Sequence, residues 1–366
     1  MAVRIFGISM IVTVVSLVVA FLYGGVEALI LCAILGILEV SLSFDNAVIN
    51  ATVLRRMSAF WQQIFLTVGI LIAVFGMRLV FPLAIVWITA GLNPQQALDR
   101  ALNPPADGAA YFPDGQPSYE TALTDAHPQI AAFGGMFLMM LFLNFVFESR
   151  EITWLSWLER PLARAGKLDQ LAVVVASIAL LLAAEFGPDD HAHTVLLAGV
   201  LGMITYIAVN GLGTLFEVED GDSDPDTGPS GGPTELAKAT GKAGFFLFLY
   251  LEVLDASFSF DGVIGAFAIT SDPILIALGL GFIGAIFVRS ITIFLVRKGT
   301  LSEYMYLEHG AHWAIGALAA ILLVSISIHV NEIVTGLVGV LLIGAAFVSS
   351  ISRRRRERDL QPVSVG

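Results

Sequence analysis

Long apolar runs recur from one end of the chain to the other, and that recurrence constrains the fold more than any single motif. About 20 apolar residues in a helix cross the roughly 30 Å hydrocarbon core of a bilayer. Ten runs of about that length are present, at residues 5–23, 26–54, 61–90, 129–147, 168–186, 194–216, 243–270, 273–296, 313–328 and 333–350. The second and third are long enough to tilt or to contain a break. The composition agrees: of 366 residues, 57% are hydrophobic and 14% charged, whereas a soluble domain carries about 25% charge. Mean hydropathy is +0.83. The expected fold class is all-α, a polytopic membrane helix bundle of about ten transmembrane helices.

Several classes are excluded on the same grounds. The net charge of -12 comes mostly from loops, without the basic patches that nucleic acid requires. Cys32 is the only cysteine, so neither an intrachain disulfide nor a thiolate metal site can form. The first run has a basic start at Arg4 but no small-x-small cleavage site, and reads as a retained span. No soluble catalytic domain remains between the runs. Neither H-E-x-x-H nor G-x-x-x-x-G-K-[ST] occurs, so the expectation is not an enzyme.

Lysine and arginine set the expected orientation. Alternate connections hold Arg55 and Arg56; Arg150, Arg160, Arg164 and Lys167; Lys238 and Lys242; Arg297 and Lys298; and the tail from Arg353. The opposite connections hold only Arg100. Both termini are therefore expected in the cytoplasm, with an even number of spans. Residues 1–216 form the first transmembrane half, including a sixth span that leads into the second. Residues 217–242 form an acidic cytoplasmic linker, 243–350 the remaining spans and 351–366 a basic tail. In the linker, Asp220, Asp222, Asp224 and Asp226 alternate, but an EF-hand's glycine and terminal glutamate are not in place, so a solvated linker is expected. The outer loop 91–128 is long enough to fold over the mouth of the protein. Residues 188–193 (Pro-Asp-Asp-His-Ala-His) read as a polar turn.

The informative feature is a repeat. The second run reads Leu38-Glu39-Val40-Ser41-Leu42-Ser43-Phe44-Asp45-Asn46, and the seventh reads Leu254-Asp255-Ala256-Ser257-Phe258-Ser259-Phe260-Asp261-Gly262. Aligned on Ser-Phe-Asp, Glu39 matches Asp255 and Asp45 matches Asp261. The next run of each half carries an arginine, Arg78 or Arg289. His127 and His309 each stand seven residues before a glycine, Gly134 or Gly316. Runs five apart cross a membrane in opposite directions, so the repeat is inverted, five spans to each half. That construction is common in secondary transporters with a midplane site.

A charged side chain at the bilayer centre costs about 2.5–3.5 kcal/mol on the gentlest scale. Glu39, Asp45, Asp255, Asp261, Arg78 and Arg289, together with Glu252, must therefore pair internally or line a polar cavity. Two guanidinium groups leave an excess of negative charge over the four repeat acids, which a divalent cation or two protons would neutralise. Residues six apart lie about 240° apart around a helix. Glu39 and Asp45 can thus face one site only across a local break, for which Asn46 and Gly262 are suited. On an unbroken helix, Glu39, Ser43, Asn46 and Asn50 form one polar stripe instead. Carboxylate, hydroxyl (Ser43, Ser259) and amide oxygens suit hard ions such as manganese, magnesium or calcium. Met136, Met139 and Met140 read as packing.

The segments Glu-Val-Ser-Leu-Ser-Phe-Asp-Asn-Ala-Val-Ile-Asn at 39–50 and Glu-Val-Leu-Asp-Ala-Ser-Phe-Ser-Phe-Asp-Gly at 252–262 resemble the TerC family of integral membrane proteins. They look most like a branch catalogued as a domain of unknown function. The resemblance implies tellurium-resistance or manganese-efflux activity, with Glu39, Asp45, Asp255 and Asp261 as the ion-handling acids. The second motif departs from the family's Asp-Ser-Ile-Pro-Ala pattern at Gly262-Val263-Ile264-Gly265-Ala266. The expected function is secondary export of a divalent metal, manganese, by proton exchange from the cell membrane. Asn46, Ser43, Ser259, Arg78, Arg289 and Glu252 would support the site. No tightly bound cofactor is expected; the partners are the lipid bilayer, the metal ion and protons, with no nucleic acid. The competing expectation is a non-transporting membrane scaffold in metal or tellurium stress.

Overall fold

The computed structural model describes residues 2–69, 71–89, 91–105, 109–188, 191–221, 241–267, 269–270, 272–297, 304–328 and 330–360. Some side chains within these helices, including those of Asp45, Asp261 and residues 213–221, also lie outside the described set. Most of the acidic linker, Asp189 and Asp190 of the polar turn, and the end of the tail are outside it as well. Among the described residues the architecture is helical, and no strand occurs.

The chain opens with α1 (Ala2–Leu42) and α2 (Phe44–Leu54). α3 is a composite: Ala59–Ile64, π-helical turns at Phe65–Gly69 and Ile72–Val80, then Phe81–Thr89. A short α4 (Pro94–Leu102) precedes α5 (Tyr119–Phe147), α6 (Ser156–Ala165), α7 (Leu171–Glu185) and α8 (Ala192–Gly221). The second half holds α9 (Gly241–Phe267) and the composite α10. α10 runs through Pro273–Ile276, a π-helical Ala277–Ala285 and Ile286–Arg297. α11 (Leu307–Ser325) and α12 (Glu332–Leu360) complete it.

Six of these helices are long and apolar enough to cross a membrane, or seven if the bent pair in α3 is one span. The ten-run expectation exceeds this for identifiable reasons. α7 has only 15 residues. α9 carries Glu252 and Asp255 within its apolar stretch, and several of its side chains from Phe260 onward lie outside the described residues. The first two runs are joined in α1, where Gly24 and Gly25 leave helical geometry and Gly25 has φ +70°. Its two arms nevertheless fold against each other. Thr13 and Leu17 of the first line one cavity with Ala33, Gly36, Ile37 and Val40 of the second. Only glycine reaches the Gly25 conformation without strain.

Local chemistry sets several ends. Ser118 accepts from Thr121 N at 3.1 Å at the start of α5. That helix begins ten residues before the expected run and continues through Pro128. Asp272 accepts from Ile274 N and Leu275 N ahead of Pro273 in α10. Asn93 and Gln96 form a capping box on α4. Leu92 and that helix's Ala97 and Ala101 pack on the bundle against Val86, Tyr119 and Leu123.

The core is centred on α5, where Met136 and Phe137 are fully buried. α5 packs on α8 and α11, and α1 packs along α10. Contacts recur in matched pairs. α3 meets α10 and α5 meets α11, while α2 packs on α10 and α11 as α9 packs on α3 and α5. Small residues let these backbones approach. A Cβ at Gly279 would lie 2.5 Å from Leu35 Cβ, and one at Gly36 would lie 2.7 Å from Ile283 Cγ2. The ends of the bundle are chemically distinct. One gathers Arg56, Arg150 and Glu308 around a single cavity and ties Arg353 to the Tyr306 hydroxyl at 2.6 Å. Helix ends around Gly187 and Ile326 meet at the other.

Candidate functional site

Buried polar side chains in an apolar bundle need a physical reason, since each costs several kcal/mol unless satisfied. They concentrate where α1, α2, α3 and α9 meet. The stripe Glu39, Ser43, Asn46 and Asn50 is realised, and all four residues are buried. A single-residue interruption at Ser43 (φ -95°, ψ 16°) separates α1 from α2. The i to i+4 backbone bonds persist through it, from Ser43 N to Glu39 O and from Ala47 N to Ser43 O. This differs from the break suited to Asn46 and Gly262. In the second repeat α9 runs unbroken through Asp255, Asp261 and Gly262. Ser43 itself holds the distorted turn, because its hydroxyl donates to Glu39 Oε1 at 2.7 Å.

Glu39 is the most enclosed acid, 1% exposed. Its Oε1 also accepts from Arg78 Nη2 in a buried ion pair. Arg78 sits in a π-helical turn of α3, and its Nη1 donates to the Ala73 carbonyl at 2.7 Å. Such turns are frequent at functional sites because they offset the backbone register and re-aim side chains. Glycines of the opposite helices form a cradle. A Cβ at Gly284 would lie 2.0 Å from Glu39 Cγ, and one at Gly262 would lie 3.0 Å from Glu39 Oε2. The sequence contained a signal for the close approach of α10 in Gly279, Gly281 and Gly284, of which Gly284 faces Glu39.

Asp255 accepts from Asn46 Nδ2 at 2.5 Å between α9 and α2. It lies within electrostatic range of both Arg78 and Glu39. Glu252, one turn earlier on α9, interacts electrostatically with Asp255 and stands against Gly69 of α3. Among the described residues, neither carboxylate oxygen of Glu252, nor Asp255 Oδ2, Asn50 Oδ1 or Ser259 Oγ, has a hydrogen-bond partner. Five buried acceptor or hydroxyl oxygens thus remain unsatisfied in one neighbourhood.

The structure therefore brings together Glu39, Ser43, Arg78, Asn46 and Asp255, with Glu252 and Ser259 on the same helix as Asp255. Arg289 lies half-buried on α10, beyond its π-helical segment. Asp45 and Asp261 belong to α2 and α9, but their side chains lie outside the described residues. Among the described residues no three histidine, cysteine or carboxylate side chains form a cluster that could hold a metal ion. Of the repeat-marking histidines, His127 is half-buried. His309 is buried 3.2 Å from Glu159 of α6, which also accepts from Trp313 Nε1 and Trp154 N.

No curated protein and no solved structure matches the chain. A family model described as "Protein of unknown function (DUF475)" matches residues 44–357. The match takes in Asp45, Arg78, Asp255 and Asp261 and begins just after Glu39 and Ser43. On that match, over most of its length, the chain belongs to this uncharacterised family.

Proposed function

We propose that this protein is a secondary transporter that exports a divalent metal cation, manganese, from the cell, exchanging it for protons at intramembrane carboxylates. The observation that carries the reading is the buried charge balance. Among the described residues, Glu39, Glu252 and Asp255 are buried at the crossing of α1, α2, α3 and α9, where Arg78 pairs with Glu39. A protein that needed these groups only for packing would place apolar residues there, which are as stable or more so. The choice of manganese rests on the oxygen-only donor set and on the resemblance of residues 39–50 and 252–262 to the TerC family.

The matched contacts of α2, α3 and α5 with α9, α10 and α11 support an inverted repeat of five spans to each half. Counting the two arms of α1, the composite α3, α7 and α9 as crossings gives ten. The arginine-rich end is cytoplasmic by the positive-inside rule, which puts both termini there. Glu39 and Asp255 bind the ion near the midplane, and Asp45 and Asp261 act as further ligands or proton carriers toward the two faces. Without the ion, Arg78 neutralises Glu39, and an arriving cation displaces the guanidinium from Oε1. Two protons returning for each divalent ion keep the buried charge constant.

The test is metal flux into proteoliposomes under an imposed pH gradient, comparing manganese, calcium and magnesium. Manganese flux that is lost in Asp45→Asn and Asp261→Asn supports the mechanism. Absence of flux for every divalent ion, from protein that elutes as a folded species, overturns it in favour of a non-transporting scaffold.

A further inference from the structure

The buried acids are approached from one side. At the arginine-rich end a cavity of about 720 Å³ enters the bundle between α2, α5, α8, α9 and α11. At about 30 Å³ per water in the liquid, it has room for some 24 waters, ample for a divalent ion with its hydration shell. Its lining includes Thr52, Asn144, Glu148, Asn210 and Glu308, oxygen-bearing groups that suit a hydrated hard cation. Two guanidinium groups, Arg56 and Arg150, also line it; Arg150 pairs with Glu148 at 2.6 Å and Glu308 at 3.8 Å and lies over the Phe145 ring.

The cavity extends along α2 and α9 toward the site. Ile49 and Tyr250 line it, three residues from Asn46 and five from Asp255, or about 5 and 8 Å along their helices. Phe137, Tyr206 and Tyr250 close that end as an aromatic cluster. Phe137 lies 5.6 Å from Tyr206 and 5.9 Å from Tyr250, and the two tyrosines are 6.4 Å apart. Asn144 donates to the Tyr206 hydroxyl at 2.9 Å and fixes that ring. Phe137 is fully buried.

We infer that this cavity is the cytoplasmic vestibule of the ion path, and that Phe137, Tyr206 and Tyr250 form the plug separating hydrated cation from Asn46 and Asp255. The inference rests on the transporter reading and deepens it by naming the access side and the barrier. Ions enter from the arginine-rich face, lose water against the tyrosine hydroxyls and reach the carboxylates when the plug parts.

The sole cysteine is buried, so a Cys32→Ser background permits single-cysteine labelling with a membrane-impermeant cationic thiol reagent. Oriented vesicles expose one face at a time. Thr52→Cys and Val209→Cys, two vestibule positions, are expected to react from the cytoplasmic face only. Asn46→Cys is expected to react slowly, and about tenfold faster from that face when Tyr250→Ala is added, the change that about 1.4 kcal/mol of closure makes. Tyr250→Phe, which keeps the ring, should leave Asn46→Cys slow. Two results overturn the inference: labelling of both vestibule positions from the outer face or from neither, or equal reactivity of Asn46→Cys with and without the Tyr250 ring. Labelling needs no transport. Loss of flux with this pattern intact would count against the transporter alone, and flux without the pattern against the vestibule alone.

Discussion

The Glu39–Arg78 pair offers the sharpest energetic test. Both side chains are almost completely enclosed, at 2% and 3% exposure, so solvent screening gives little relief. Removing one member of a buried pair leaves the other charge without compensation, at a cost of about 3–5 kcal/mol. Arg78→Gln also forfeits the bond to the Ala73 carbonyl, and Glu39→Gln weakens the one from Ser43. Each single variant should therefore lose about 3 kcal/mol or more of stability. The double variant carries no buried charge at this pair. It should fall short of the sum of the singles by about 2–3 kcal/mol, the upper part of the range for directly contacting residues. The assay is denaturant unfolding in a mild detergent, followed by circular dichroism, for all four members of the cycle. A coupling below about 0.5 kcal/mol, the level reached by sites that do not touch, would refute the pairing and the displacement step built on it.

Other expectations follow from the same neighbourhood and from the scaffold. Glu252→Gln should leave thermal stability unchanged or raised, because no described partner is lost, while lowering manganese flux; a clear drop in melting temperature would show a structural role. Gly284→Ala should destabilise by about 1–3 kcal/mol through overpacking, since the new Cβ would meet Glu39 Cγ at 2.0 Å; thermal unfolding reads it, and unchanged stability would contradict the cradle. Gly25→Ala forces a side chain into φ +70° and should cost about 1–3 kcal/mol, read as a fall in detergent-unfolding midpoint. Glu159→Ala removes the acceptor shared by Trp154 N, Leu155 N and Trp313. It should free α6 from the bundle, measured as faster proteolysis between residues 150 and 170, and unaltered cleavage would argue against that anchor.

The positions of the helices were legible in the sequence because a bilayer demands long apolar segments, whatever their partners. All ten apolar runs fall on helices, and the methionines Met136 and Met140 are buried as packing residues. The polar stripe Glu39, Ser43, Asn46 and Asn50 was also legible, since helical periodicity alone puts those residues on one face. Whether each run crosses the membrane was less so. The charges of α9 and the shortness of α7 can be tolerated only where neighbouring helices cover them, which a hydropathy count cannot see.

What only the tertiary structure decided concerns partners and aim. The sequence supplied two arginines for the acids; packing assigned Arg78 to Glu39, through a π-helical turn whose register local propensity does not encode. The sequence offered Asn46 and Gly262 as break points; the distortion falls at Ser43, where a hydroxyl can bond the buried carboxylate. Asn46 instead reaches across to Asp255, a contact between residues 209 positions apart. The glycine wall around Glu39 and the Phe137, Tyr206 and Tyr250 cluster arise from four separate helices. Composition fixes how much polar matter must be buried; only the crossing of those helices determines which groups satisfy one another and which oxygens are left unsatisfied.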